Sequence, residues 1–171
     1  VAAAARATAT APARGKQQAS LGSGKRVVLA FGGDIHFEGV LAGKLAASPS
    51  TLLVPIAPTM RRADLAIANL ETAITQSGVA APKTYTFRAP PSAFEALRRG
   101  EIDVVSMANN HGMDFGVTGL RDSLAAAERY RFPVVGIGRN VKQAYAPYRT
   151  TINGQRIAVI GATQVLDDHL V

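Results

Sequence analysis

Three apolar runs in this chain each break off into a cluster of carboxylate, amide and imidazole side chains, and amphipathic stretches separate them. They read Val27-Val-Leu-Ala-Phe-Gly-Gly-Asp34-Ile-His36, Leu65-Ala-Ile-Ala-Asn69-Leu-Glu71 and Val104-Val-Ser-Met-Ala-Asn109-Asn110-His111-Gly-Met-Asp114. Short continuous apolar runs bounded by glycine and polar residues predict strands buried on both faces, which is the habit of parallel sheets. Helical segments between parallel strands then define an α/β fold. Open sheets of this kind bind ligands beyond the carboxyl ends of their strands. The three polar clusters are therefore expected along one edge of one sheet.

The intervening segments fit this plan. Residues 40–47 and 51–62 carry helical patterns, broken by Pro49, Pro55 and Pro58. Lys83–Arg88 alternates as a half-exposed strand would. A short helix is predicted from Ser92 to Gly100, with arginines and a glycine at its end. A longer one is predicted over Val117–Tyr130, with Leu120, Leu124 and Ala127 on its apolar face. Val134–Ile137 reads as a further strand and Val141–Tyr145 as a short helix. Tyr148–Ile152 and Arg156–Gly161 flank Asn153-Gly154, a strong signal for a two-residue hairpin turn.

Asp34 and His36 are two apart on an extended segment, so their side chains point the same way and can share one ion. Gly32 and Gly33 let the backbone turn sharply just before them. A carboxylate with an imidazole suits zinc, manganese or iron. Asn69 and Glu71 repeat the spacing on the second strand. In the third cluster Asn110 can offer a carbonyl oxygen to a metal, His111 can act as acid or hydrogen-bond donor, and Asp114 can orient it. Each group taken singly also serves as a helix cap or turn, and that reading stays open here. His169, beside Asp167 and Asp168, reads as solvated. Gly136-Ile-Gly138 lacks the third glycine of a dinucleotide fingerprint, and no serine sits in a nucleophile elbow.

Charge narrows the partners. Residues 1–26 hold five basic and no acidic residues, so only +2 of the formal +7 belongs to residues 27–171. A nearly neutral body without a basic stripe argues against nucleic-acid binding. Residues 1–24, rich in Ala, Thr, Gly and Ser, are expected to be a flexible basic leader before a domain at 25–171. Cysteine is absent, which excludes disulfides and thiolate metal sites.

The ordered set Gly33-Asp34-Ile-His36, Ala68-Asn69-Leu-Glu71 and Ala108-Asn109-Asn110-His111-Gly-Met-Asp114 resembles the bacterial CapA (PgsA-type) poly-γ-glutamate capsule biosynthesis family. Phe87-Arg88-Ala-Pro90, Gly100-Glu-Ile-Asp103-Val-Val-Ser106 and Gly136-Ile-Gly138-Arg-Asn140 support it, and the likeness runs from about Arg26 to Gly161. That family is in turn similar to the calcineurin-like metallophosphoesterases, which implies a two-sheet β-sandwich flanked by helices. The resemblance implies two divalent ions (manganese, iron or zinc). Asp34 and His36 would bind the first, Glu71 would bridge where phosphoesterases usually carry Asp, and Asn110 would bind the second. His111 would serve the leaving group with Asp114 behind it, and Asn69 and Asn109 would face substrate.

The expected substrate is a phosphoester or an anionic polymer, and the expected setting a membrane capsule-synthesis complex, reached by export or by an anchor upstream of residue 1. The alternative is a non-catalytic accessory component whose leader and Arg98, Arg99, Arg129 and Arg131 hold the polyanion. The family's later histidine motifs would lie beyond residue 171, so domain 25–171 is expected to be incomplete at its C-terminal side.

Overall fold

The computed structural model of the chain describes residues 22–165. Most of the expected leader, and Asp167, Asp168 and His169, lie outside the described residues. The first half contains β1 (Leu29–Ile35), α1 (Val40–Ala47), α2 (Pro49–Leu52), a 3-10 turn at Val54–Ile56, α3 (Ala57–Met60) and β2 (Leu65–Leu70). Next come β3 (Ala73–Ile74), β4 (Arg88–Ala89), α4 (Ala93–Arg99), β5 (Val104–Ser106) and α5 (Gly116–Tyr130). The last elements are β6 (Val134–Val135), α6 (Val141–Ala144), β7 (Tyr148–Ile152) and β8 (Gln155–Val159). The fold is α/β, with a parallel sheet flanked by helices.

The main sheet is wholly parallel in the order β1-β2-β5-β6. Its central strands are buried on both faces, as their continuous apolar runs require: Leu65, Ala66, Ile67, Ala68, Val104 and Val105 are all buried. On one face Ala66, Ala68, Leu70 and Val105 meet Leu45, Phe94, Ala96, Leu97, Ala126 and Phe132 from the helical side. Phe94 and Leu97 are completely buried, and each such side chain stabilises the domain by about 1.5–3 kcal/mol. On the other face Leu65, Ile67, Val104 and Val135 pack under Tyr148, Ile152, Ile157 and Val159 of the β7–β8 hairpin. The hairpin turns at Asn153 and Gly154, with φ of 53° and 77°, as the Asn-Gly pair predicts. Gln155 Nε2 and Asn153 Nδ2 donate to the Lys25 and Arg26 carbonyls, tying the approach to β1 onto the turn.

Two expectations need correcting. Residues 83–87 are not a strand: only Arg88–Ala89 pairs, in parallel with β3, and Lys83 and Phe87 turn toward the strand-end cluster instead. The buried face of α5 is Gly119, Ser123, Ala126 and Ala127, while Leu120 and Leu124 are only half-buried. The small residues face inward because α5 lies close against β3, where Ile74 N donates to Ser123 Oγ at 2.9 Å. The proline-broken stretch at 51–62 does split, into α2, the 3-10 turn and α3. No single described helix is long and apolar enough to cross a membrane.

Candidate strand-end site

The first cluster is aimed by a β-bulge. Phe31 pairs with Ile67, but the next pairs are Asp34 with Asn69 and Ile35 with Leu70, so β1 carries one extra residue between Phe31 and Asp34. Gly32 and Gly33 fill that step, and a Cβ on Gly32 would already press on Ala68 Cβ at 3.3 Å. Bulges re-aim the side chains that follow them. Here the bulge puts Asp34 in register with Asn69, which itself pairs with Ser106 on β5. Without it Asp34 would oppose Leu70 and point into the helical side of the core.

A row of amides then links the three strand ends. Asn69 Nδ2 donates to Asp34 Oδ1 (2.8 Å), and Asn109 Nδ2 donates to Asn69 Oδ1 (2.9 Å) and to the Leu70 carbonyl (3.0 Å). Asn109 Oδ1 accepts from the His111 backbone N–H at 2.9 Å. The side chains of Asn69 and Asn109 are thus engaged with their neighbours. Among the described residues the Asn110 side chain has no hydrogen-bond partner, and only its carbonyl is engaged, by Lys83.

Behind the row lies Asp114, completely buried. Its Oδ2 accepts from the Phe87 N–H (2.6 Å) and sits 2.7 Å from His111 Nδ1, while Lys83 Nζ lies 2.6 Å from its Oδ1. A carboxylate against Nδ1 fixes the imidazole with its proton there and turns Nε2 outward. Nε2 lies 3.9 Å from Glu71 Oε1. The Phe87 ring is stacked between the imidazoles of His36 and His111, at centroid distances of 4.7 and 4.2 Å.

The strand ends therefore bring together Asp34, His36, Asn69, Glu71, Asn109, His111 and Asp114. Sequence reasoning missed Lys83 and Phe87. Alternation placed both on one face of a supposed strand; Phe87 opens one of the stretches that carry the family resemblance, whereas Lys83 had no signal beyond a lysine among threonines.

The donor set can be tested for a metal. Carboxylate, imidazole and amide oxygen are the right chemistry for a first-row divalent ion. His36 Nδ1 is buried without a hydrogen-bond partner, which costs about 1–3 kcal/mol unless something ligates it. On the other side, no three of the described His, Asp and Glu side chains gather closely enough to hold one ion. The described residues supply separate donors rather than a closed ligand shell.

The arginines expected to hold a polyanion lie elsewhere. Arg98 donates to the Tyr130 carbonyl at 2.5 Å, joining α4 to α5. With Arg61, Arg99, Glu95 and Glu101 it lines a cleft of about 660 Å³ next to the segments that lead into β2 and β5, at the opposite edge of the sheet.

Comparison with known proteins finds relatives of part of this chain. A 34% identical stretch of 100 residues, 58% of this chain and 26% of the relative, is shared with a Mycobacterium tuberculosis protein named "Probable polyglutamine synthesis accessory protein". The PGA biosynthesis protein CapA of Bacillus subtilis is 28% identical over 113 residues, 64% of this chain and 30% of its own length. The capsule biosynthesis protein CapA of Bacillus anthracis is 26% identical over 112 residues, 63% of this chain and 27% of its own. The chain thus spans less than a third of the length of these relatives. The model of the family described as bacterial capsule synthesis protein PGA_cap matches residues 28–170. With that match running from before β1 to beyond β8, the chain belongs to the bacterial capsule synthesis protein family.

Proposed function

We propose that this chain forms part of a metallophosphoesterase-like unit serving poly-γ-glutamate capsule synthesis at the cell envelope. The observation that carries the reading is the buried, unpartnered His36 Nδ1 beside a row of donors at the strand ends. Asp34 and His36 would hold one divalent ion, Asn110 would serve a second and Glu71 would serve both, and the remaining donors would come from outside the described residues. Bound there, such ions supply Lewis acidity and a nucleophilic hydroxide at neutral pH.

The chain's own residues have separable tasks in this reading. Asn69 holds the Asp34 carboxylate in place, and Asn109 holds both Asn69 and the His111 backbone. His111, with Nδ1 fixed by Asp114, presents Nε2 to protonate or stabilise a leaving oxygen. Phe87 keeps the two imidazoles apart and parallel. The hairpin packed on the sheet face opposite the helices supports a sandwich architecture.

A second reading has its own support. It is an accessory component that keeps the fold without turnover, in line with the accessory naming of the mycobacterial relative. Calorimetric titration of Mn²⁺ into the chain, with His36→Ala as control, separates the two. Binding that the variant loses supports the metal reading, and assay of a chromogenic phosphodiester with His111→Ala then tests turnover. Equal heats for both proteins would remove the metal site and leave the accessory reading.

A further inference from the structure

Lys83 comes from the long segment between β3 and β4, yet its side chain is only 18% exposed. Its ammonium lies 2.6 Å from Asp114 Oδ1 and also donates to the Asn110 carbonyl. Asp114 in turn binds the same segment twice more, through the Phe87 N–H on Oδ2 and through its own carbonyl, which accepts from Ala81 N at 2.7 Å. A single residue thus laces residues 81–87 across the site, with Lys83 beside one carboxylate oxygen and His111 beside the other.

We propose that Lys83 is a positioning residue that sets the tautomer and orientation of His111 through Asp114. A carboxylate fully removed from water needs an opposite charge as well as hydrogen bonds to stay ionised. Lys83 holds its ammonium 2.6 Å from Oδ1 as an ion pair, and Oδ2 accepts from the Phe87 N–H and faces His111 Nδ1. Nε2 is then the nitrogen that faces the Glu71 side of the cluster. Without the ammonium, the buried Asp114 loses the charge that holds it as an acceptor on both oxygens, and the bias on His111 lapses. The contact with the Asn110 carbonyl adds a second function, because the same ammonium fixes the backbone of the residue offered as a metal donor. The catalytic meaning of this arrangement rests on the reading of His111 given above; the positioning itself does not.

The test is a long-range proton–nitrogen correlation spectrum of the chain labelled with ¹⁵N at histidine, recorded above the ordinary histidine titration range. The wild-type chain is expected to show His111 as one species protonated at Nδ1. Lys83→Met is expected to show a second species protonated at Nε2, and Lys83→Arg to restore the single one. A role confined to pinning the segment would leave the tautomer unchanged in Lys83→Met while the amide spectrum stays dispersed, and that result overturns the proposal. Should Lys83→Met fail to fold, Lys83→Gln takes its place, with the same two outcomes. Loss of the tautomer bias together with an Mn²⁺ titration indifferent to His36→Ala would uphold the role of Lys83 and reject the metal reading. An unchanged tautomer with His36-dependent binding would do the reverse.

Discussion

Replacing Asp114 by Asn should leave the ammonium of Lys83 facing a neutral amide where it now meets a buried carboxylate. The carboxamide keeps the shape and can still accept the Phe87 N–H and the His111 proton on one atom, but it turns a neutral amide toward Lys83. Breaking one side of a buried ion pair costs about 3–5 kcal/mol. Because Lys83 keeps 18% of its side-chain exposure, the expected loss sits near the lower end, about 3 kcal/mol. With a urea slope of about 2 kcal/mol/M, that moves the unfolding midpoint down by roughly 1.5 M. Lys83→Met leaves the opposite charge behind and should cost about as much. The double variant removes both charges and should lose no more than either single change. Equilibrium urea unfolding followed by circular dichroism of the four proteins closes the cycle. Losses that add to within about 0.5 kcal/mol would refute the reasoning, since residues that far from coupling do not form a buried pair.

Three further outcomes follow from the same geometry. Phe87→Leu removes two ring contacts worth about 0.5–1.5 kcal/mol each, so urea unfolding should register a loss of about 1–3 kcal/mol. The imidazole protons of His36 and His111 should lose their ring-current shifts at the same time, and unmoved protons would mean the stack is not populated. Asn69→Ala removes the amide that bridges Asp34 and Asn109, and Mn²⁺ affinity by calorimetry should fall about 10–100-fold. Wild-type affinity in that variant would show that the amide row does not support the metal donors. Gly136→Ala would place a Cβ 2.5 Å from Ala108 Cβ and 2.7 Å from Ala108 N, at a φ of 90°. Strain of that kind costs about 1–3 kcal/mol, and a midpoint shift within error would show that the turn after β6 relaxes freely.

The sequence by itself determined the parallel core and where its polar ends would fall. Buried strands must be apolar throughout, so Leu65–Ala68 and Val104–Val105 announce themselves, and a sheet order set by helical crossovers brings their carboxyl ends to one edge. The Asn153-Gly154 hairpin was equally legible, because its turn is encoded in two adjacent residues. Other features depend on contacts between residues far apart in the chain, and only the tertiary structure decided them. The bulge at Gly32–Gly33 can be seen only against the register of β2, yet it is what brings Asp34 to Asn69 rather than to Leu70. The face of α5 turned inward around Ser123 because β3 needed a hydrogen-bond partner there, which no helical periodicity contains. Lys83 and Phe87 left their predicted strand because Asp114, 31 and 27 residues away, offered a buried carboxylate that a local pattern could not foresee. Local periodicity records which face of an element is apolar, whereas a polar site is assembled by long-range partners whose spacing in sequence carries no period.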